Sequence, residues 1–433
     1  MKLSDNFVYS KRDLVVVGIA IGLIVALLGV GFGVSAKPAV PMGRSELPPQ
    51  SSFERALSIL EEAPVIDGHN DFAMTVRDLF QNDLSKFNFN SNLSEREELS
   101  DYPMDHTDLP RLRKGRIGAQ FWSAYVSCGS QYKDAVQLFM EQIDFIKRLV
   151  NEYPNDLQFA TSTQDILDGF KSKKIASLIG VESGHAIGSS VAILRTLYEL
   201  GARYMTLTHT CNTPWADSSE AEQNIPPRSQ GLSDFGQLVV QEMNRLGMLV
   251  DISHVSKDTM KDALSASKAP VMFSHSSARA LCSQARNVPD EVLLDLKSNG
   301  GIIMVNFYSC FLIDDCQERN ATVLDVVAHI NHIRNLIGVD HIGLGGDFNG
   351  VESLPIGLED TSKYPNLFVA LLEDKTHDWT EAELAQISSG NLLRVFKKVE
   401  DVRDMLKRND PEQTWIDPND LHRSETSCQS ETS

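Results

Sequence analysis

Ala63-Pro64-Val65-Ile66-Asp67-Gly68-His69-Asn70-Asp71 is the stretch from which the rest of the chain can be read. Its apolar run, Ala63–Ile66, predicts a buried β-strand, and His69 and Asp71 stand at its end. Two residues apart on extended backbone, an imidazole and a carboxylate share one face and can grip one divalent cation. The same layout, an apolar run ending in His, Glu or Asp, recurs down the chain.

Eight strands are expected, at Pro64–Gly68, Ile117–Val126, Ile175–Val181, Tyr204–Thr208, Met248–Ser253, Pro270–Ser274, Ile302–Phe307 and Ile342–Gly346. Helical spacing of apolar residues fills the intervals. Between Tyr132 and Val150 it falls on Val136, Phe139, Met140, Ile143, Ile146 and Leu149. Further helices are expected at Phe53–Glu62, Leu232–Leu246, Lys257–Ser267, Glu291–Asn299, Val323–Ile337 and, as one long stretch, Glu381–Leu406. Strands alternating with helices predict a parallel sheet, and eight of them a closed (β/α)8 barrel of the TIM type. Residues 85–116 break the repeat and read as an excursion between the first two strands.

Such a barrel keeps its chemistry at the C-terminal ends of its strands. There the sequence places His69 and Asp71, Glu182 and His185, His209, His254, His275 and Asp347. Five of the chain's 11 histidines therefore stand at strand ends, a position for which a structural histidine has no preference. Ligands converging on one barrel mouth suit two metal ions, with Glu182 bridging, His69 and Asp71 completing one shell, and His254 and His275 the other. Mixed imidazole and carboxylate donors favour zinc, two Zn2+ per subunit, able to lower the pKa of a bridging hydroxide until it attacks at neutral pH. Asp347 is then free to accept a proton and pass it to a leaving amine. His209 could hold a carbonyl oxygen or oxyanion. Arg286, just past the sixth strand, could clamp a substrate carboxylate.

Composition sets outer bounds. The 433 residues are 42% hydrophobic and 23% charged, enough for a large core. A net charge of −19, from 40 basic and 59 acidic residues, argues against a duplex nucleic-acid partner. Residues 14–36 are apolar and uncharged, long enough to span a bilayer, with Lys2, Lys11 and Arg12 before them. The favoured expectation is a signal-anchor, with residues 1–13 cytosolic and a type II membrane protein whose catalytic domain is extracellular. The alternative is a signal peptide cleaved after Ala36, giving a secreted enzyme. Residues 37–52 read as a stalk, 53–406 as the barrel domain and 407–433 as a polar tail. Asn92 and Asn320 begin N-glycosylation motifs, and no cysteine pair forms a CxxC metal site.

Taken in order, Val65-Ile-Asp-Gly-His-Asn-Asp71, Gly180-Val-Glu-Ser-Gly-His185, Leu207-Thr-His-Thr-Cys-Asn-Thr-Pro-Trp-Ala-Asp217, Val250-Asp-Ile-Ser-His254, Phe273-Ser-His-Ser-Ser277, Arg286-Asn-Val-Pro-Asp290 and Gly345-Gly-Asp-Phe348 resemble the membrane (renal) dipeptidase family. The resemblance covers roughly Phe53 to Phe396. It implies a two-zinc amidohydrolase-type barrel with the ligand pairing given above, His209 and Arg286 as substrate contacts and Asp347 as the proton-handling acid. It implies dipeptide substrates, including those with a D-residue on the C-terminal side, with cysteinyl-glycine, leukotriene D4 and β-lactams in the family's range. It also implies disulfides Cys128–Cys211 and Cys282 with Cys310 or Cys316, Cys316 being favoured, and a homodimer linked through Cys428. The chain departs from the family in having a strong N-terminal apolar segment and no hydrophobic C-terminal end. The competing readings are a related binuclear amidohydrolase on another small amide, and a catalytically silent cell-surface binding protein. Arg286 favours a carboxylate-bearing substrate over the first, and the complete ligand set argues against the second.

Overall fold

The computed structural model describes residues 50–96 and 105–421. The apolar segment 14–36, nearly all of the stalk and Cys428 lie outside the described residues. Among the described residues, no helix is long and apolar enough to cross a membrane.

The first helix, Ser52–Glu62, starts where the sequence permits reciprocal capping. The Ser51 hydroxyl accepts from the Glu54 N–H, and the Glu54 carboxylate accepts from the Ser51 N–H. Nine strands follow: β1 Val65–Asn70, β2 Ile117–Tyr125, β3 Leu157–Phe159, β4 Ile175–Glu182, β5 Ala202–Thr206, β6 Leu249–Asp251, β7 Met272–Phe273, β8 Ile302–Val305 and β9 Ile342–Leu344. All pairings are parallel. The order runs β2-β1-β9-β8-β7-β6-β5-β4, and β2 pairs directly with β4 to close an eight-stranded barrel. The ninth strand, β3, has only three residues, which the sequence reading did not expect. It pairs with Ile175–Ser177 of β4, ahead of the point where β5 joins at Ile179. The helix Ala135–Glu152 realises the expected spacing, burying Phe139, Ile143, Ile146 and Leu149.

Two boundaries differ from expectation in ways that matter. β1 continues two residues beyond the expected end at Gly68, so His69 lies within the strand and Asp71 sits just past it, at the start of the helix Phe72–Phe80. The stretch Glu381–Leu406 is not one uniform helix, because a π-helical turn at Gln386–Gly390 separates Glu381–Ala385 from Asn391–Leu406. Polar ties surround that wider turn. The Ser388 hydroxyl donates to the Ala63 carbonyl at 2.7 Å, and the Asn391 amide donates to the carbonyls of Val339 and Ile342. The helix that follows seals the lower end of the barrel. Leu392, Val395, Phe396, Val399 and Val402 pack with Ile66, Ala176, Leu249 and Ile302, at the beginnings of their strands.

Residues 407–421 run exposed along the surface, held where Arg195 donates to the Glu412 carbonyl. Cys128–Cys211 is a disulfide. The favoured pairing of Cys282 with Cys316 is not formed. Cys310 and Cys316 are joined instead, because the short loop after the helix Ser309–Leu312 turns back and brings their Cα atoms within 4.9 Å. Cys282 is a buried free thiol that donates to the Cys310 carbonyl, and burial pushes its pKa up to about 11. Asn92 and Asn320 are exposed.

Candidate metal centre

The strand ends deliver seven of the singled-out side chains to one bowl: His69, Asp71, Glu182, His209, His254, His275 and Asp347. Glu182, the last residue of β4, lies at its centre and divides its two oxygens. Its Oε2 is 3.5 Å from His69 Nε2, which is itself 3.1 Å from Asp71 Oδ2. Its Oε1 is 3.1 Å from His254 Nε2 and 3.5 Å from His275 Nε2, and these two nitrogens face each other at 2.9 Å. His209 Nε2 is 3.8 Å from the same Oε1, and its ring stacks on His254 with centroids 4.2 Å apart. Asp347 reaches His69 Nε2 at 3.9 Å and accepts from the Asn306 amide at 2.8 Å.

The backbone bends hard to achieve this. Both His254 (φ 64°) and Asp347 (φ 60°) adopt left-handed conformations that non-glycine residues rarely take. Such strain persists only where the surroundings over-determine it, and it concentrates at functional sites. Two glycines make room. A side chain at Gly345 would strike the Ser274 carbonyl, and one at Gly180 would strike the Tyr204 ring. That ring crosses the barrel to place its hydroxyl 2.8 Å from His69 Nδ1.

Electrostatics favour a bound cation. Burial is the main cause that pushes Glu182 up to about 7, with Asp71 and Asp347 adding to it against His69. Burial likewise raises Asp347 to about 6. Burial first, then neighbouring positive groups, holds His254 and His275 well below the ordinary histidine range, and takes His209 down to about 3. His69 shifts the other way, since its burial is outweighed by Tyr204, Asp71 and Glu182, which raise its pKa well above the ordinary histidine range. The three neutral imidazoles and the crowded carboxylates are the donors that gain most from a cation. His69 Nε2 and Asp71 Oδ1 are buried and without a hydrogen-bond partner, as an inward-facing ligand atom should be. These residues therefore fit a metal, and three overlapping groups among them bring their ligand atoms within 4.8 Å of one another.

Arg286 is buried beside the bowl. It donates to the Ser276 hydroxyl and, at 2.8 Å, to the His275 carbonyl, while its Nε has no partner. Burial lowers its pKa to about 10, against the pull of Asp347, Asp251 and Glu182. His185 stands apart from the other strand-end histidines. It bonds Ser183 at 2.6 Å and lies by Cys128 and Cys211, whose sulfurs are tied in a disulfide and are not free thiolates.

Several supporting residues escaped the sequence reading. Asp67 takes hydrogen bonds from the N–H groups of His69 and Gly346 and from the Tyr364 hydroxyl, so it braces two strand ends at once. Ser123 donates to Glu182 Oε2 at 3.2 Å. Asp251 holds the loops of His254 and His275. The signal was present: Asp67, Ser123 and Asp251 are small polar residues inside otherwise apolar strands, which is where a buried hydrogen-bond network has to start.

A parallel barrel whose strand ends converge in a buried carboxylate–histidine bowl defines a class, the hydrolases built on a (β/α)8 scaffold. The sequence profile described as membrane dipeptidase (peptidase family M19) matches residues 53–410, and the chain belongs to that family of peptide-bond hydrolases. Among its relatives is dipeptidase 3 of Mus musculus, 46% identical over 353 residues, which cover 81% of this chain and 67% of the relative. Dipeptidase 3 of Macaca fascicularis is 44% identical over 358 residues, covering 82% and 69%. The fold is shared with solved structures. A probable dipeptidase from Pseudomonas aeruginosa aligns with TM-score 0.69 and 20% identity, covering 81% of this chain and 99% of its own. A metallo peptidase from Rhodobacter sphaeroides, bound to a phosphinate mimic of the dipeptide L-Ala-D-Ala, aligns with TM-score 0.68 and 21% identity, covering 78% and 99%.

Proposed function

We propose that this chain is a two-zinc dipeptidase. The observation that carries the reading is the division of Glu182, with one oxygen toward His69 and Asp71 and the other toward His254 and His275. In this reading His69 and Asp71 hold one zinc, His254 and His275 the other, and Glu182 bridges. When bound, the ions supply Lewis-acid polarisation and a nucleophile drawn from water at neutral pH.

The chain's own residues do the rest. Asp347, oriented by the Asn306 amide, takes up the proton released in attack and hands it to the departing amine. His209, neutral and at the rim, donates to the carbonyl oxygen as negative charge grows there. Arg286 offers its unpartnered Nε and the remaining hydrogens of its terminal nitrogens to the substrate's C-terminal carboxylate. Requiring that carboxylate so close to the bowl favours small amides with a free carboxylate near the scissile bond, dipeptides first among them. Substrates with a D-residue on the C-terminal side, cysteinyl-glycine, leukotriene D4 and certain β-lactams belong to the proposed range. We place the enzyme at the cell surface, anchored by residues 14–36 as a type II membrane protein, N-glycosylated at Asn92 and Asn320, and dimeric through Cys428.

The test is hydrolysis of a glycyl–D-amino-acid dipeptide by the purified protein, before and after chelation and zinc return. Loss on chelation and recovery with zinc is expected. A folded, zinc-loaded protein with no cleavage would sink the dipeptidase reading.

A further inference from the structure

The ligand histidines differ in what holds the ring nitrogen that faces away from the bowl. For His69 it is the Tyr204 hydroxyl. For His275 it is a two-step relay. Nδ1 lies 2.8 Å from the Ser274 hydroxyl, and that hydroxyl is 2.6 Å from Asp251 Oδ2.

Asp251 ends β6 and is fully buried. Each of its oxygens accepts twice. Oδ1 takes the N–H groups of Ser253 at 3.1 Å and Ser274 at 2.8 Å, and Oδ2 takes the hydroxyls of Thr206 and Ser274, both at 2.6 Å. A carboxylate only accepts, so the single hydroxyl hydrogen of Ser274 is committed to Asp251. Toward His275 the Ser274 oxygen can then only accept, and Nδ1 must carry the ring hydrogen. That leaves Nε2 with its lone pair aimed at Glu182 and His254. The same carboxylate ties Ser253, directly before the strained His254, to Ser274, directly before His275. One side chain thus sets the spacing of two loops and the tautomer of one ring.

The geometry points to Asp251 as a positioning residue for the His254–His275 half of the metal centre, acting on His275 through Ser274. This rests on the two-zinc reading above. His69 draws on Tyr204 and Asp67 instead, and the Asp71 N–H donates to the Phe348 carbonyl, so loss of Asp251 should strike one half of the centre and spare the other.

Asp251→Asn is the test, because it keeps the shape and replaces one acceptor with a donor. With an amide facing Ser274, the hydroxyl hydrogen is free to turn toward His275 Nδ1. The ring hydrogen then favours Nε2, where zinc must displace it before the ring can ligate. Zinc binding to the metal-free full chain is measured by competition with a chromophoric chelator, alongside thermal unfolding. The expected result is one zinc bound as tightly as in the wild type and the second weakened about 10- to 100-fold. Two zincs bound with wild-type affinities, with or without a lower melting temperature, would overturn the role of Asp251. A wild-type chain that binds fewer than two zincs would overturn the metal reading and this one with it. Should Asp251→Asn not fold, Ser274→Ala carries the same test. It leaves the carboxylate and its backbone bonds in place and removes only the relay, so unchanged second-site affinity in that variant would equally overturn the assignment.

Discussion

Asp347 and Arg286 flank the bowl and divide its proposed work. Asp347 sits on strained backbone, accepts from Asn306 and is raised by burial to about 6, well placed to exchange a proton near neutral pH. Asp347→Asn keeps the hydrogen-bonding shape and removes the basic oxygen. Turnover should fall about 100- to 10,000-fold with zinc content unchanged, measured by steady-state kinetics and elemental analysis of one preparation. Normal turnover would remove the assigned role. Arg286→Ala should raise KM for a free dipeptide far more than for the same dipeptide amidated at its C-terminus, and equal losses on both would exclude the carboxylate clamp. Asp347 was legible in the sequence because it stands three residues past the end of β9, and Arg286 because it lies in the loop that follows β7. Their supporting partners were not. Tyr204 lies 135 residues from His69, and only barrel closure brings them together.

The helix Asn391–Leu406 shows how an element far from the chemistry supports it. Its apolar face closes the barrel floor, and Phe396 is completely buried among strand-start residues. Phe396→Ala should cost about 3–5 kcal/mol in chemical denaturation while the folded fraction keeps its zinc, since the cavity opens at the end opposite the strand ends. Loss of metal from the folded variant would mean that floor and bowl are coupled. The helix was readable from its apolar spacing. Its π-helical interruption was not, because that turn lies among the tertiary hydrogen bonds of Ser388 and Asn391. β3 was missed for a similar reason: three residues carry no periodicity, and its identity comes from the open edge of β4.

At the scale of the whole molecule, buried titratable groups couple stability to pH. His329 accepts the Ala278 N–H at Nδ1 and bonds the Leu312 carbonyl through Nε2, an arrangement that needs a neutral ring, and burial lowers its pKa to about 4. Below its ordinary value of about 6.5 the unfolded chain binds the proton and the folded chain does not. The contribution of this residue is therefore complete above about pH 6.5 and is lost progressively toward about pH 4. Asp67, Asp347 and Glu182, all raised, work in the opposite direction, so the residue must be isolated by difference. Urea unfolding of wild type and His329→Gln, at about pH 7.5 and about pH 5, should show the wild type losing up to about 2 kcal/mol more than the variant. Identical losses would reject the assignment.

The barrel class and the residues at its mouth follow from the amino-acid order alone. Strand periodicity, helix periodicity and the residue that ends each apolar run are local properties, and a parallel barrel sends every strand end to the same side. Which groups then meet depends on register across strands far apart in the chain. That register divides the two oxygens of Glu182 and threads Asp251 through Ser274 to His275, while the turn of one short loop joins Cys310 to Cys316 and leaves Cys282 a thiol. Hydrogen bonds and disulfides are satisfied by whatever packing brings within reach, and packing is settled only when the sheet closes.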